Sequence, residues 1–152
     1  NASKRYPEDK ILTKTMINNY AKNRLLPSPE KKTYSKEHML LLIYIYYYKS
    51  ILSIGDIQSL LEPLTDRYFH NEGEFNMQSI YEEVFSLEKE QVEKMKQDVT
   101  EKYETASRIF PEAEAEDQEF LRIFSFICLL SFDVYVKKQV IEKLIDELPK
   151  KS

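Results

Sequence analysis

Glycine is nearly absent from this chain, with two in 152 residues. Tight hairpins need residues at positive φ, normally glycine, so a hairpin-rich β architecture is excluded. There is no tryptophan, and the one cysteine, Cys128, sits among Phe and Leu. That rules out a disulfide framework and a thiolate metal site, and it suits a reducing, cytoplasmic location. No signal peptide, nucleophile elbow, phosphate loop or nucleotide fingerprint occurs. Asp66, His70, Glu72 and Glu74 are close in sequence, but they lack ligand spacing and read as a solvated loop. No catalytic residue, metal or cofactor is assigned, and an enzyme is not expected. The most apolar run, "FLRIFSFICLLSFDVYV" from Phe120, carries Arg122 and Asp133. It is shorter and more charged than a spanning helix requires, so it reads as a buried helix and no membrane partner is expected.

What the chain does contain is Lys, Glu, Leu and Ile, residues that favour helix. The expected fold class is all-α. The net charge of −4 conceals a division: residues 1–50 hold ten Lys or Arg against four Asp or Glu, and the remainder holds twelve against twenty-two. Binding follows local charge, so this pattern suggests a basic contact module joined to an acidic helical body.

Asn1 to Lys10 is a polar lead-in, and its Asn1-Ala2 start without Met reads as a tag-cleavage remnant. Thr13 can cap a helix over Lys14 to Asn23. On a wheel of about 100° per residue, Lys14, Thr15, Asn18, Asn19, Lys22 and Asn23 fall in one half. Met16, Ile17, Tyr20 and Ala21 fill the other, so the helix packs on one side and offers only Lys, Asn and Thr on its outer side. Leu25-Leu26-Pro27-Ser28-Pro29 ends it, and a basic connection bearing Lys31 and Lys32 follows. Ser35 then caps a helix over Lys36 to Lys49, apolar almost all round and expected to be the central helix of its module. His38 in its first turn reads as a surface or capping residue, and Tyr44, Tyr46, Tyr47 and Tyr48 read as packing residues with outward hydroxyls. Ser53 and Asp56 open a further helix that Pro63 is expected to end.

Thr65 to Asn76 reads as a module boundary. One long charged helix is expected from Met77 to about Ala106, with a five-residue step between Leu87 and Val92 that breaks a strict heptad. The acidic segment after Pro111 leads to a last helix or helix pair over Glu119 to Leu148. The expected modules are therefore 1–63 and 76–149.

Several residues carry a family resemblance: Thr13 and Ile17-Asn18-Asn19-Tyr20 on the first helix, Leu25-Leu26-Pro27 after it, Tyr34-Ser35-Lys36-Glu37-His38-Met39 at the next helix start, and Leu52-Ser53-Ile54-Gly55-Asp56-Ile57 with Leu60-Leu61. In this order the segment resembles the winged helix-turn-helix of the MerR class of bacterial transcription regulators. More closely, "MINNYAKNRLLPSPEKKTYSKEH" is similar to a bacterial domain-of-unknown-function family, and that likeness extends through most of the chain. The MerR resemblance implies a MerR-like, winged module that reads double-stranded DNA, followed by a helical C-terminal module that makes a homodimer. By that resemblance Lys14, Thr15, Asn18, Asn19 and Lys22 face DNA, while Lys31 and Lys32 are wing contacts to phosphate. It also implies a first helix upstream of this one, which Asn1 to Lys10 is too short and polar to supply. This chain departs from the MerR pattern in having Asn18-Asn19 for Arg-Tyr and Arg24 for Gly. Its wing is short and lacks glycine, which argues against a hairpin there.

The rival readings are a helical protein-interaction module that has lost DNA binding and an effector sensor. The sensor would hold a small apolar molecule in a cavity among Phe120, Phe124 and Phe126. Candidate dimer seams are Val92, Met95, Val99 and Tyr103, or the Phe-rich face from Phe120 to Phe132.

Overall fold

The computed structural model describes residues 12–150, so the lead-in from Asn1 to Lys10 lies outside the described residues. Those residues form six helices and no strand: α1 (Lys14–Lys22), α2 (Lys36–Tyr48), α3 (Ile54–Tyr68), α4 (Met77–Phe85), α5 (Glu88–Ser107) and α6 (Ala115–Asp146). The all-α class is the one composition points to. Contacts gather the chain into two compact units, one from the described part of Asn1–Glu83 with Glu142–Ser152, the other Val84–Ile141.

In the first unit α2 is central because it is apolar on every side. His38, Leu40, Leu41, Leu42, Tyr44 and Ile45 are all buried on it. Around it lie Leu25, Leu26, Ile57, Leu61 and Met77, each no more than 3% exposed. Leu25 and Leu26 do more than interrupt a helix, since both are core residues. Of the four tyrosines of α2 expected to pack, Tyr44 is buried and Tyr46 and Tyr48 are half-buried, while Tyr47 is exposed. Tyr44 stacks on Tyr48 at 6.4 Å and meets Tyr81 edge-on at 6.2 Å. Burial pushes the phenols of Tyr44 and Tyr48 above the ordinary tyrosine range. Ile45 has no exposed surface. Ile45→Val, which removes one buried methylene, is expected to cost about 1 kcal/mol, read as a lower urea midpoint with an unchanged slope.

Two expected helix ends are corrected. Ser53 caps α3 by accepting the Asp56 N–H at 3.1 Å, but the helix does not stop at Pro63 and continues to Tyr68. Proline removes a single N–H, and α3 keeps its later bonds, as the Phe69 N–H to Thr65 O bond of 3.1 Å illustrates. The loop after α3 belongs to the first unit and is closed by its own side chains. Asn76 and Ser79 cap α4 reciprocally: Asn76 Oδ1 accepts the Ser79 N–H at 2.9 Å, and Ser79 Oγ accepts the Asn76 N–H at 3.0 Å. The expected single helix from Met77 to Ala106 is two helices, α4 and α5, broken at Ser86 and Leu87. The break falls where the apolar spacing slips by five, because no straight helix keeps both stripes on one face.

The second unit contains a helical hairpin of α5 and most of α6. Its one buried hydrophobic residue among those described is Ala106. Tyr103 of α5 meets Phe126 of α6 edge-on at 5.5 Å. Along α5, Lys94 pairs with Glu90 at 3.3 Å, Lys96 pairs with Glu93 at 3.2 Å, and Lys102 pairs with Asp98. The hydrogen bond that Lys102 donates to Asp98 holds its ammonium above the usual lysine range, against an opposing effect of desolvation. Exposed pairs of this kind add little stability each. α6 is one helix rather than a pair. It starts at Ala115, so Glu116 and Asp117 sit in its first turn, where the helix dipole favours them. Among the described residues no helix is long and apolar enough to cross a membrane.

Candidate nucleic-acid interface

α1 is short and sharply delimited at both ends. Thr13 Oγ1 accepts the Met16 N–H at 3.1 Å and starts it. At the other end, Leu25 N–H donates to Tyr20 O at 2.9 Å and Arg24 N–H donates to Ala21 O at 3.2 Å. This is a complete Schellman motif, with Arg24 at φ 62° in the left-handed region where glycine is normally preferred. The motif turns the chain so that Leu25 and Leu26 enter the core. Arg24 and Asn23 remain exposed beside the polar face. Burial raises the Tyr20 phenol above its ordinary value, in keeping with its place on the packing side of α1.

The polar face is open to solvent. Lys14, Thr15, Asn18, Asn19 and Lys22 are all exposed, as are Lys31 and Lys32. No described carboxylate pairs with Lys14, Lys22, Arg24, Lys31 or Lys32. Asn18 is tied to the segment after the turn, because Tyr34 O–H donates to Asn18 Oδ1 at 3.3 Å. That bond brings α1 and the basic turn together and restrains the orientation of the Asn18 carboxamide.

The turn closes although it has no glycine. Glu30 and Thr33 form an isolated antiparallel bridge, with Thr33 N–H donating to Glu30 O at 2.8 Å. Its two central residues, Lys31 at φ 48° and Lys32 at φ 64°, are both left-handed, the pattern of a two-residue type I′ turn. The expectation that the missing glycine would prevent a hairpin is thus corrected, although the hairpin amounts to a single bridge. Lysine in this region is strained by about 1 kcal/mol or more per residue. Lys31→Gly and Lys32→Gly are each expected to stabilise the protein by about 0.5 to 1 kcal/mol, seen as a raised melting temperature.

What holds the turn in place is His38. The ring is 1% exposed, so it is a capping residue, as one of the sequence expectations had it, but not a surface one. Ser35 N–H donates to His38 Nδ1 at 3.0 Å, and Ser35 Oγ accepts the His38 N–H at 3.3 Å, closing a reciprocal cap on α2. With Nδ1 accepting, the ring proton is on Nε2, which donates to Pro27 O at 3.0 Å. The rings of Tyr34 and Phe69 meet His38 edge-on at 5.2 and 5.0 Å. One side chain therefore joins the break after α1, the start of α2 and the end of α3. Outside it, His70 bridges two carboxylates, with Nε2 at 3.2 Å from Glu30 and Nδ1 at 3.2 Å from Glu37. Glu37 also accepts the His70 N–H at 2.9 Å.

Sequence reasoning missed Arg24 as an exposed cation and Tyr34 and His38 as positioning residues. A signal for Arg24 was present, since it follows Asn23 at a helix end. His38 was legible as a capping residue from its place in the first turn of α2, but no local signal marked its burial or its bond to Pro27 O. The apolar cavity imagined among Phe120, Phe124 and Phe126 is not enclosed within one copy. Phe120 and Phe124 are 65% and 53% exposed and stack on each other at 5.8 Å, while Phe126 is against Tyr103.

No curated protein and no solved structure matches the chain. A family model, the domain of unknown function DUF1836, matches residues 1–84. That span takes in α1, the lysine turn, the His38 anchor, α2 and α3, and it is more than half of the 152 residues. The chain belongs to the DUF1836 family.

Proposed function

We propose that this protein is a dimeric, DNA-binding transcription regulator with a MerR-like front module, acting in the cytoplasm. In this reading α1 enters the major groove of double-stranded DNA. Asn18 and Asn19 meet base edges, Lys14, Thr15 and Lys22 flank them, and Lys31 and Lys32 of the short turn hold phosphates. Arg24 adds a further cation beside the same face. The observation that carries the reading is the exposure of all seven residues, tied across Tyr34 and Asn18 into one surface. Two strained lysines at a turn tip add to it, because strain of this kind persists where function selects the side chain over glycine. A helix of nine residues offers few base contacts. Pairing two copies on half-sites about 34 Å apart supplies the remaining affinity and specificity.

Fluorescence anisotropy with duplex DNA tests the proposal. Binding at low salt is expected, with affinity falling steeply as salt rises, because phosphate contacts release counterions. A folded protein that leaves duplex DNA unbound at low salt refutes it. The second reading, a protein-interaction module, is favoured by Asn18 spending its carboxamide oxygen on Tyr34. Binding that is insensitive to salt, or absent, would point there.

A further inference from the structure

Exposed apolar side chains lie on both helices of the second unit: Met95, Val99 and Tyr103 of α5 are 41% to 51% exposed, and α6 carries the larger and more exposed set. Phe120, Ile123, Phe124, Ile127, Val134 and Tyr135 are each 52% to 65% exposed. At about 100° per residue they fall on one side of the helix. With roughly 100 to 150 Å2 open on each, they present on the order of 700 Å2, close to the roughly 800 Å2 that each partner gives to a stable interface. Lone soluble domains leave patches of only about 300 to 600 Å2. The hairpin behind this face has one buried hydrophobic residue, Ala106, so its own two helices do not complete a core.

The charges beside the stripe identify the occupant. Glu112, Glu114, Glu116, Asp117 and Glu119 lead into α6 with no Lys or Arg among them, while Lys137 and Lys138 sit at the other end of the stripe. We propose that a second copy of this chain docks on the stripe with its own α6 running antiparallel, making a four-helix bundle from two hairpins. This deepens the dimeric reading above and rests on it. Centred between Ile127 and Cys128, the arrangement sets Phe120 against the other copy's Tyr135, and Phe124 against its small Ser131. Lys138 then faces Asp117. A parallel pairing would instead set Asp117 against Asp117 and Lys138 against Lys138, like charges facing each other. Phe124 opposite Ser131 is the large-against-small pairing that interdigitating helices need, and Phe120 opposite Tyr135 brings two aromatic rings together.

Sedimentation of the whole chain tests the arrangement. The unaltered protein is expected to be a dimer at micromolar concentration, and Ile127→Glu is expected to weaken association more than 100-fold. Lys138→Glu should weaken it about 10-fold, and adding Asp117→Lys to that variant should restore it. The charge-swap variants change only exposed helix positions, so they decide the matter even where Ile127→Glu fails to fold. A dimer indifferent to Ile127→Glu and to the swaps leaves dimerisation standing and overturns this seam. Loss on Ile127→Glu without rescue by the double swap overturns the antiparallel order. A monomeric unaltered chain overturns both the seam and the dimeric reading.

Discussion

Reversing Lys22 and Lys31 together to Glu is expected to weaken duplex DNA binding about 100-fold at moderate salt, with no loss of helix content. Each reversal removes one phosphate contact and adds one repulsion, and the slope of log affinity against log salt should fall by about two. Both residues are exposed and unpaired with any described carboxylate, so their removal leaves no buried charge behind. The control reverses Lys94 and Lys96, which carry the same charge on α5 but pair with Glu90 and Glu93. If binding reflects only a general attraction to cations, the two double variants should fall alike. If α1 and the turn form the interface, the α5 variant should stay within about 2-fold of the parent. Equal losses would reject the assignment of the surface while leaving DNA affinity itself intact. Asn18→Ala and Asn19→Ala then separate reading from grip, because loss of base contacts lowers discrimination between duplex sequences by about 1 to 3 kcal/mol per good contact.

The largest stability effect is expected at His38. His38→Ala removes the ring's half of the α2 cap and leaves Pro27 O without its donor. It also opens space between Tyr34 and Phe69. A lost cap costs about 1 kcal/mol, and an orphaned buried carbonyl with the accompanying cavity costs roughly 2 more. The total of about 3 kcal/mol corresponds to a fall of about 15 °C in melting temperature for a unit of this size. His38→Gln is the informative companion. Glutamine at this position can restore the bond to the Ser35 N–H but does not reproduce the ring between its two aromatic neighbours, so about 1 kcal/mol should return. A fall of less than about 3 °C in His38→Ala would show that the anchor does not hold these elements. Since His38 positions the turn that carries Lys31 and Lys32, the same variant should also weaken DNA binding, and His38→Gln should recover part of it.

Much of this architecture was legible in the order of residues. Thr13, Ser35 and Ser53 announce three helix starts because a side-chain oxygen ahead of an apolar period satisfies an otherwise unpaired N–H. The two-sided character of Lys14 to Asn23 follows from helical periodicity alone, and each of its outer residues is exposed. The scarcity of glycine correctly excluded a β protein, yet it misled at Lys31 and Lys32. Local propensity disfavours left-handed lysines; the Thr33 N–H to Glu30 O bond closes the turn around them, and contacts made elsewhere, by His38 to Pro27 O and by His70 to Glu30, support it.

Arg24 follows the same rule. Its left-handed backbone is set by the two bonds of the Schellman motif and by the burial of Leu25 and Leu26 beyond it. The continuation of α3 past Pro63 also lay beyond local signals, whereas the five-residue step after Leu87 marked the place of the break between α4 and α5. Sequence alone determined the helical class, the caps and the polarity of each face, all of which act over three or four residues. Tertiary structure decided which strained backbones are tolerated, which histidine is an anchor and which apolar stripe is left uncovered. Those outcomes come from contacts between residues far apart in the chain, whose energies no short window contains.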